Sequence, residues 1–205
     1  MKATLIALFL YQDLKIMKIR TILKVFLVLF ALAFVAFGYG VSIMNSEKVT
    51  PVKALNPQSS GPKARIVYQN GLTDFQSKAT ESFAQSLVSN GWHVEMTTVS
   101  SQTQTDFKDI SLLVLGSPIY GGQASTPLQT YMKRLGSLGG LRVVTLLTGA
   151  GAGDKAKEIM TSEITAHGGN EVLSIVLYQW APNEEQFGSK NSIEIAAKAA
   201  QSLIP

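Results

Sequence analysis

The chain of 205 residues contains no cysteine, which excludes disulfides, thiol catalysis and thiolate metal sites. Histidine is nearly absent too. The two that exist, His93 and His167, stand in no pattern with a carboxylate or a nucleophile, and both are expected to be solvated. Ser117 has no base partner, and paired carboxylates for acid–base chemistry are missing. Charge is sparse at 16% and uneven. Residues 1–63 hold eight Lys/Arg against two acids, Asp13 and Glu47, a surplus of six; residues 64–205 hold ten against twelve, a deficit of two. The basic character therefore belongs to the N-terminal part. No Lys/Arg cluster is interleaved with aromatics, which argues against nucleic-acid binding. With 46% hydrophobic residues, a chain of this length buries one good core and hardly two.

What the chain does have is a long apolar run. Val25 to Phe37 is unbroken, and small residues continue it through Ile43. At about 1.5 Å per residue, roughly 19–20 residues span a hydrocarbon core of about 30 Å. Lys15, Lys18, Arg20 and Lys24 precede the run, so the positive-inside rule places the N-terminus in the cytoplasm and the rest outside, against Lys48, Lys53, Lys63 and Arg65 beyond it. The rival reading is a cleaved signal peptide with a site at Ala36-Phe37-Gly38. Ala3 to Tyr11 is apolar but too short to span. Residues 1–16 are either an over-extended start ahead of Met17 or a segment lying at the interface. The expected division is a cytoplasmic segment 1–20, an anchor 21–44, a flexible linker 45–63 carrying three prolines and a Ser-Ser-Gly, and a domain 64–205.

Within the domain, β-rich and helical segments alternate. Strands are expected at Arg65–Tyr68, Trp92–Val99, Leu112–Leu115, Leu141–Leu147 and Val172–Tyr178. The second alternates in polarity and reads as lying near a sheet edge, whereas the third and fourth are continuously apolar, as central parallel strands are. Helices are expected at Phe75–Leu87, Leu128–Leu138, Lys155–Ala166 and Ser192–Ile204; Phe75, Ala79, Phe83 and Leu87 mark one helical face. The alternation argues an open, five-stranded parallel α/β sheet covered on both sides. Ligands bind such sheets outside the carboxyl ends of the strands. Three segments leave those ends: Gln69-Asn70-Gly71-Leu72-Thr73, Gly116 to Gly122, and Thr148 to Gly153. All are rich in Gly, Ser, Thr or Asn, which expose backbone N–H groups and admit a flat ligand.

The second segment, Gly116-Ser117-Pro118-Ile119-Tyr120-Gly121-Gly122, resembles the ring-contacting G-S-P-x-Y-G-G loop of one subgroup of the flavodoxin family. Pro127 to Leu135 resembles the helix that follows it, and "VVTLLTGAG" the next strand and third loop. The resemblance runs from about Ala64 to the end. It implies strand order 2-1-3-4-5, FMN as cofactor and electron transfer to or from a redox protein or quinone. Asn70, Gly71 and Thr73 would hold the phosphate. Ser117, Pro118, Ile119 and Tyr120 would meet the ring, with the Gly121–Gly122 peptide at its N5 edge, and Thr148, Gly149, Gly151 and Gly153 would line the pyrimidine side. One loop departs from the pattern. Where the family has S/T-x-T-G-x-T, this chain offers Asn70, Leu72, Thr73 and Asp74, and Asp74 would repel a phosphate. The alternative is a flavodoxin-fold binding or structural module that has lost the phosphate site. In that reading Tyr120 covers the sheet end, the glycines serve turns, and Asn70 and Thr73 cap a helix. Trp92 and Trp180 are expected in the core or at its rim.

Overall fold

The structure is a computed structural model describing residues 2–204 apart from 152, 181, 182 and 184, and side chains from residue 19 onward. It divides into two compact units between Ile43 and Met44. The first unit is the part of helix α1 (Lys2–Asn45) up to Ile43, in one uninterrupted helix. Its stretch Ile19–Asn45 is long and apolar enough to cross a membrane. Phe26, Phe30, Phe34 and Phe37 all stand exposed on it.

The second unit is an α/β domain with strands β1 (Lys53–Leu55), β2 (Lys63–Tyr68), β3 (His93–Thr98), β4 (Leu112–Tyr120), β5 (Gln123–Ala124), β6 (Arg142–Gly149) and β7 (Asn170–Tyr178). Helices α2 (Phe75–Ser89), α3 (Thr126–Arg134), α4 (Asp154–Ala166) and α5 (Ser192–Gln201) connect or follow them. The sheet order is β1-β3-β2-β4-β6-β7, with β5 paired to β4. Its five long strands, β3-β2-β4-β6-β7, are parallel and take the expected order.

Two short strands make seven rather than five. β1 lies inside the segment 45–63 expected to be a flexible linker. It pairs antiparallel with β3, Lys53 opposite Met96 and Leu55 opposite Val94. That pairing satisfies the outer edge of β3, so the alternating strand expected near the edge is covered on both sides. β5 is the second addition, described with the site below. Helix α3 stops at Arg134, four residues before the expected Leu138, where Leu135 turns to an extended conformation.

Side chains alternate across the sheet and build two cores. Ala64, Ile66, Leu112, Val114, Val144 and Leu146 face one side with Phe83 and Leu87 of α2 and Ala196 and Ala199 of α5. Val67, Leu113, Leu115, Val143 and Leu147 face the other with Leu128 of α3 and Met160 and Ile164 of α4. Continuous apolar strands buried on both faces are what a doubly covered sheet requires. Trp92 is wholly buried, its indole N–H donating to the Leu203 carbonyl at 3.3 Å. The histidines are half-buried rather than solvated. His93 begins β3 between β1 and β2, with Nε2 buried, and His167 closes α4 with Nδ1 3.2 Å from the Gly136 carbonyl.

Candidate functional site

The strand expected to end at Leu115 does not end there. β4 continues through Gly-Ser-Pro to Tyr120, still paired with β6 up to Pro118 opposite Thr148. Proline is tolerated because β2 ends opposite Gly116, leaving that side of β4 as a free edge where no ladder N–H is needed. The turn comes two residues later. Gly121 and Gly122 both have positive φ, 58° and 76°, and join β4 to β5 with Tyr120 opposite Gln123. A two-residue hairpin with both φ values positive is the arrangement that favours Gly-Gly. Ser117 is fully buried. Its hydroxyl donates to the Pro118 carbonyl at 2.8 Å and accepts from the Ser125 N–H at 2.9 Å, pinning β4 to the start of α3.

The loop after β2 is also internally bonded. The Asn70 Oδ1 accepts from the Ser77 hydroxyl at 2.8 Å, and the Thr73 hydroxyl donates to Gln179 Oε1 at 3.0 Å. The Leu72 N–H donates to the Tyr120 hydroxyl at 3.2 Å, so the tyrosine ties the first loop to the second. Partial burial pushes the Tyr120 phenol above its ordinary value, against the opposing effect of that amide. Asp74 is the N-cap of α2 but makes no side-chain cap. Its carboxylate turns to Lys78 at 2.7 Å, and that bond holds it below the usual carboxylate range. Neither Asn70 nor Asp74 is a side-chain cap; Thr73 Oγ1 makes only a long contact, 3.4 Å, with the Phe75 N–H.

These loops surround an open cleft of about 190 Å³ at the carboxyl edge of the sheet. Gly71, Thr73, Pro118, Ile119, Tyr120, Thr148 and Gly149 line it, as the sequence suggests. The other expected residues do not. Asn70, Ser117, Gly121 and Gly122 serve the contacts and the hairpin above, and Gly151 lies outside the lining. Gly153 starts α4 packed so closely on β7 that a Cβ there would meet Val176 Cγ1 at 2.3 Å. Six further residues line it that were not among those expected: Leu72 and Ala150, within the first and third loops, and Phe75, Gln76, Gln179 and Trp180, outside all three. Gln76 is buried and bridges α2 to the end of β6, its Oε1 accepting from the Thr148 hydroxyl at 2.7 Å. Gln179 and Trp180 leave the carboxyl end of β7, a fourth strand end of the same kind as the three considered. Trp180 is 75% exposed, an unusual exposure for a large aromatic ring.

No family profile matches the chain, and no curated protein matches it. Solved structures do. A flavodoxin from the domain Archaea superposes with TM-score 0.55 at 14% identity, covering 68% of this chain and 94% of that one. The fold is flavodoxin-like. Two-electron reduced Megasphaera elsdenii flavodoxin matches with TM-score 0.55, 17% identity and coverage of 67% and 98%. An NAD(P)H:quinone oxidoreductase from Methanothermobacter marburgensis matches with TM-score 0.53, 12% identity and coverage of 70% and 94%. Identities this low concern the fold alone.

A flavin can be tested against the cleft from its own geometry. Glycine at 71 and 149 leaves the walls low: a Cβ at 71 would sit 3.4 Å from the Thr73 carbonyl, and one at 149 would sit 3.5 Å from Ile119. Tyr120 and Trp180 supply aromatic surfaces and Pro118 and Ile119 an apolar floor. The first-turn N–H groups of α2, which have no intrahelical partner, open near the Thr73 side. Lys78 offsets the charge of Asp74 there. These residues fit a flat ring with an anionic tail.

Proposed function

We propose that the chain is a membrane-tethered flavodoxin-fold protein that binds a flavin, FMN, in this cleft and passes electrons to or from a redox protein or quinone. The observation that carries the reading is the convergence of the carboxyl ends of β2, β4, β6 and β7, with Gly71, Gly149 and the rings of Tyr120 and Trp180 among the lining, on one cleft of a flavodoxin-like sheet. A bound flavin would supply the electron chemistry, and the protein would orient and shield its ring. Tyr120 and Trp180 would flank the ring, Gly149 and Thr148 would border it, and Gly71, Thr73 and the first turn of α2 would meet the phosphate. No side chain is needed as acid or base, in keeping with the absence of paired carboxylates in the sequence. The stretch Ile19–Asn45 would hold the domain at a membrane, with the N-terminus inside and the domain outside. Domain bounds near 21–44 for the anchor and from the β1 segment onward for the folded part accompany this reading.

The test is reconstitution of the detergent-solubilised full chain with FMN, followed by flavin fluorescence. Quenching that saturates at micromolar protein supports the reading, and none with excess protein refutes it. One observation favours a second reading. The Tyr120 hydroxyl already bonds the Leu72 amide, as a structural lid would, and a flavin-free binding module is what a negative titration leaves standing. A reporter active only outside the cytoplasm, fused after the last residue, tests the topology.

A further inference from the structure

The loop after β2 and the residues that leave β7 are joined at the cleft by a single side-chain bond. Gln179 is held at the end of β7 by its N–H on the Gly149 carbonyl at 3.1 Å. The turn beyond it is fixed as well: the buried Asn183 accepts from the Tyr178 N–H at 2.8 Å and donates to the Tyr178 carbonyl at 3.2 Å. From that base the Gln179 Oε1 accepts from the Thr73 hydroxyl at 3.0 Å. β2 and β7 are not neighbours. β4 and β6 lie between them, so at about 4.8 Å per strand spacing the two strand ends are about 14 Å apart. The bond therefore spans the width of β4 and β6, whose carboxyl ends line the same cleft, and both of its partners line that cleft too. Thr73 and Gln179 are exposed, so the contact adds little to the core.

We propose that Gln179 is a specificity residue, which narrows the preference of the cleft for a phosphorylated flavin over the same ring without a phosphate. The proposal rests on the flavin reading above, in which Thr73 meets the phosphate. A hydroxyl has one proton to donate. The phosphate of FMN is anionic at pH 7 and brings acceptor oxygens. Thr73 therefore donates to Gln179 or to the phosphate, and not to both. The long contact from the Phe75 N–H, 3.4 Å, falls on a Thr73 lone pair and stands outside this competition. Among the described residues no lysine, arginine or histidine lines the cleft, which raises the weight of a single hydroxyl proton. A ring without a phosphate makes no demand on Thr73 and leaves the bridge in place. A phosphorylated flavin has to break it, and loses affinity by the worth of that bond.

Titration of the detergent-solubilised full chain with FMN and with riboflavin, read by flavin fluorescence, tests this. Gln179→Met keeps the length of the side chain and removes its amide, which frees the Thr73 proton. The ratio of FMN affinity to riboflavin affinity should rise about two- to ten-fold, the range of one neutral hydrogen bond. The two flavins share the ring, so a change in packing around the ring cancels from the ratio. In Thr73→Val the hydroxyl is gone, and adding Gln179→Met should leave the ratio where Thr73→Val alone puts it. A rise in Gln179→Met that disappears in the Thr73→Val background supports the proposal. An unchanged ratio, or a rise that persists without the hydroxyl, overturns it and leaves the flavin site standing. A ratio that falls in Gln179→Met also overturns it, because the amide N–H would then be a donor to the phosphate rather than its competitor. A parent chain that quenches neither flavin overturns the flavin reading and the role of Gln179 together.

Discussion

Gly116→Ala probes how closely α2 and β2 are held to β4 behind the cleft. A Cβ at 116 would lie 2.8 Å from the Tyr68 Cβ and 2.9 Å from the Gln76 Nε2. Carbon contacts ordinarily settle at about 3.5–4.0 Å, so the first is short by roughly an ångström. The Tyr68 Cβ is fixed by the β2–β4 ladder, Tyr68 opposite Gly116, and cannot step aside without moving the strand. Gln76 can move only by giving up its bonds to the Thr80 hydroxyl at 3.0 Å, the Leu146 carbonyl at 3.3 Å and the Thr148 hydroxyl at 2.7 Å. Overpacking of about 1–3 kcal/mol, together with about 1 kcal/mol for a compromised buried hydrogen bond, gives a destabilisation of about 2–4 kcal/mol. At about 2–4 °C per kcal/mol for a domain of this size, the melting temperature falls by about 4–16 °C. Calorimetry of the full chain in detergent reads this directly. Gln76→Ala removes one of the two collisions, so Gly116→Ala in that background should cost less by at least about 0.5 kcal/mol. A Gly116→Ala protein within about 0.5 kcal/mol of the parent would refute the reasoning, because it would show that the strands and helix are not held at this separation.

Tyr120→Phe removes the hydroxyl that accepts from Leu72 and should leave flavin affinity intact, whereas Tyr120→Ala should weaken it by about 1–3 kcal/mol, by analogy with base stacking on aromatic rings; fluorescence titration of both variants checks the pair. Asp74→Asn should tighten FMN binding, since it takes a carboxylate away from the first turn of α2 and frees Lys78, and the comparison with riboflavin, which lacks the phosphate, should show no such gain. Burial works to raise the Glu95 carboxyl, but hydrogen bonds from Arg65 and Lys63 prevail and hold it below the ordinary 4.5. Its contribution to stability is therefore complete above pH 4.5 and is lost as the pH falls through the lower folded value. Urea midpoints should decline over that interval in the parent chain and decline less in Glu95→Gln.

Much of the cleft was legible in the residues. Pro118, Ile119, Tyr120, Thr148 and Gly149 follow continuous apolar strands, and the parallel-sheet rule puts their carboxyl ends together. Gly121, Gly122 and Ser117 were expected at the ligand, and the structure gives each of them a part in the hairpin or in the contact between β4 and α3. A Gly-Gly pair and a serine look the same in sequence whether they face a ligand or complete a hairpin and a buried pin, and only the φ values and hydrogen-bond partners separate these uses. Trp180 was missed as a cleft residue because its exposure is decided by where β7 ends relative to β4 and β6, a long-range relation without a local pattern.

The alternating order of strands and helices, the apolar span and the two-faced burial of the central strands were determined by the sequence itself. Each rests on periodicity and run length, which act over a few residues. The fate of the 45–63 segment was decided only in three dimensions. Three prolines and no apolar period describe a linker, yet the outer edge of β3 offers unpaired backbone groups, and Lys53 to Leu55 satisfy them. Backbone hydrogen bonding to an open edge is blind to side-chain pattern, so no composition announces it. Because β1 runs antiparallel to β3, Thr50, just before it, meets Thr98 at the carboxyl end of β3.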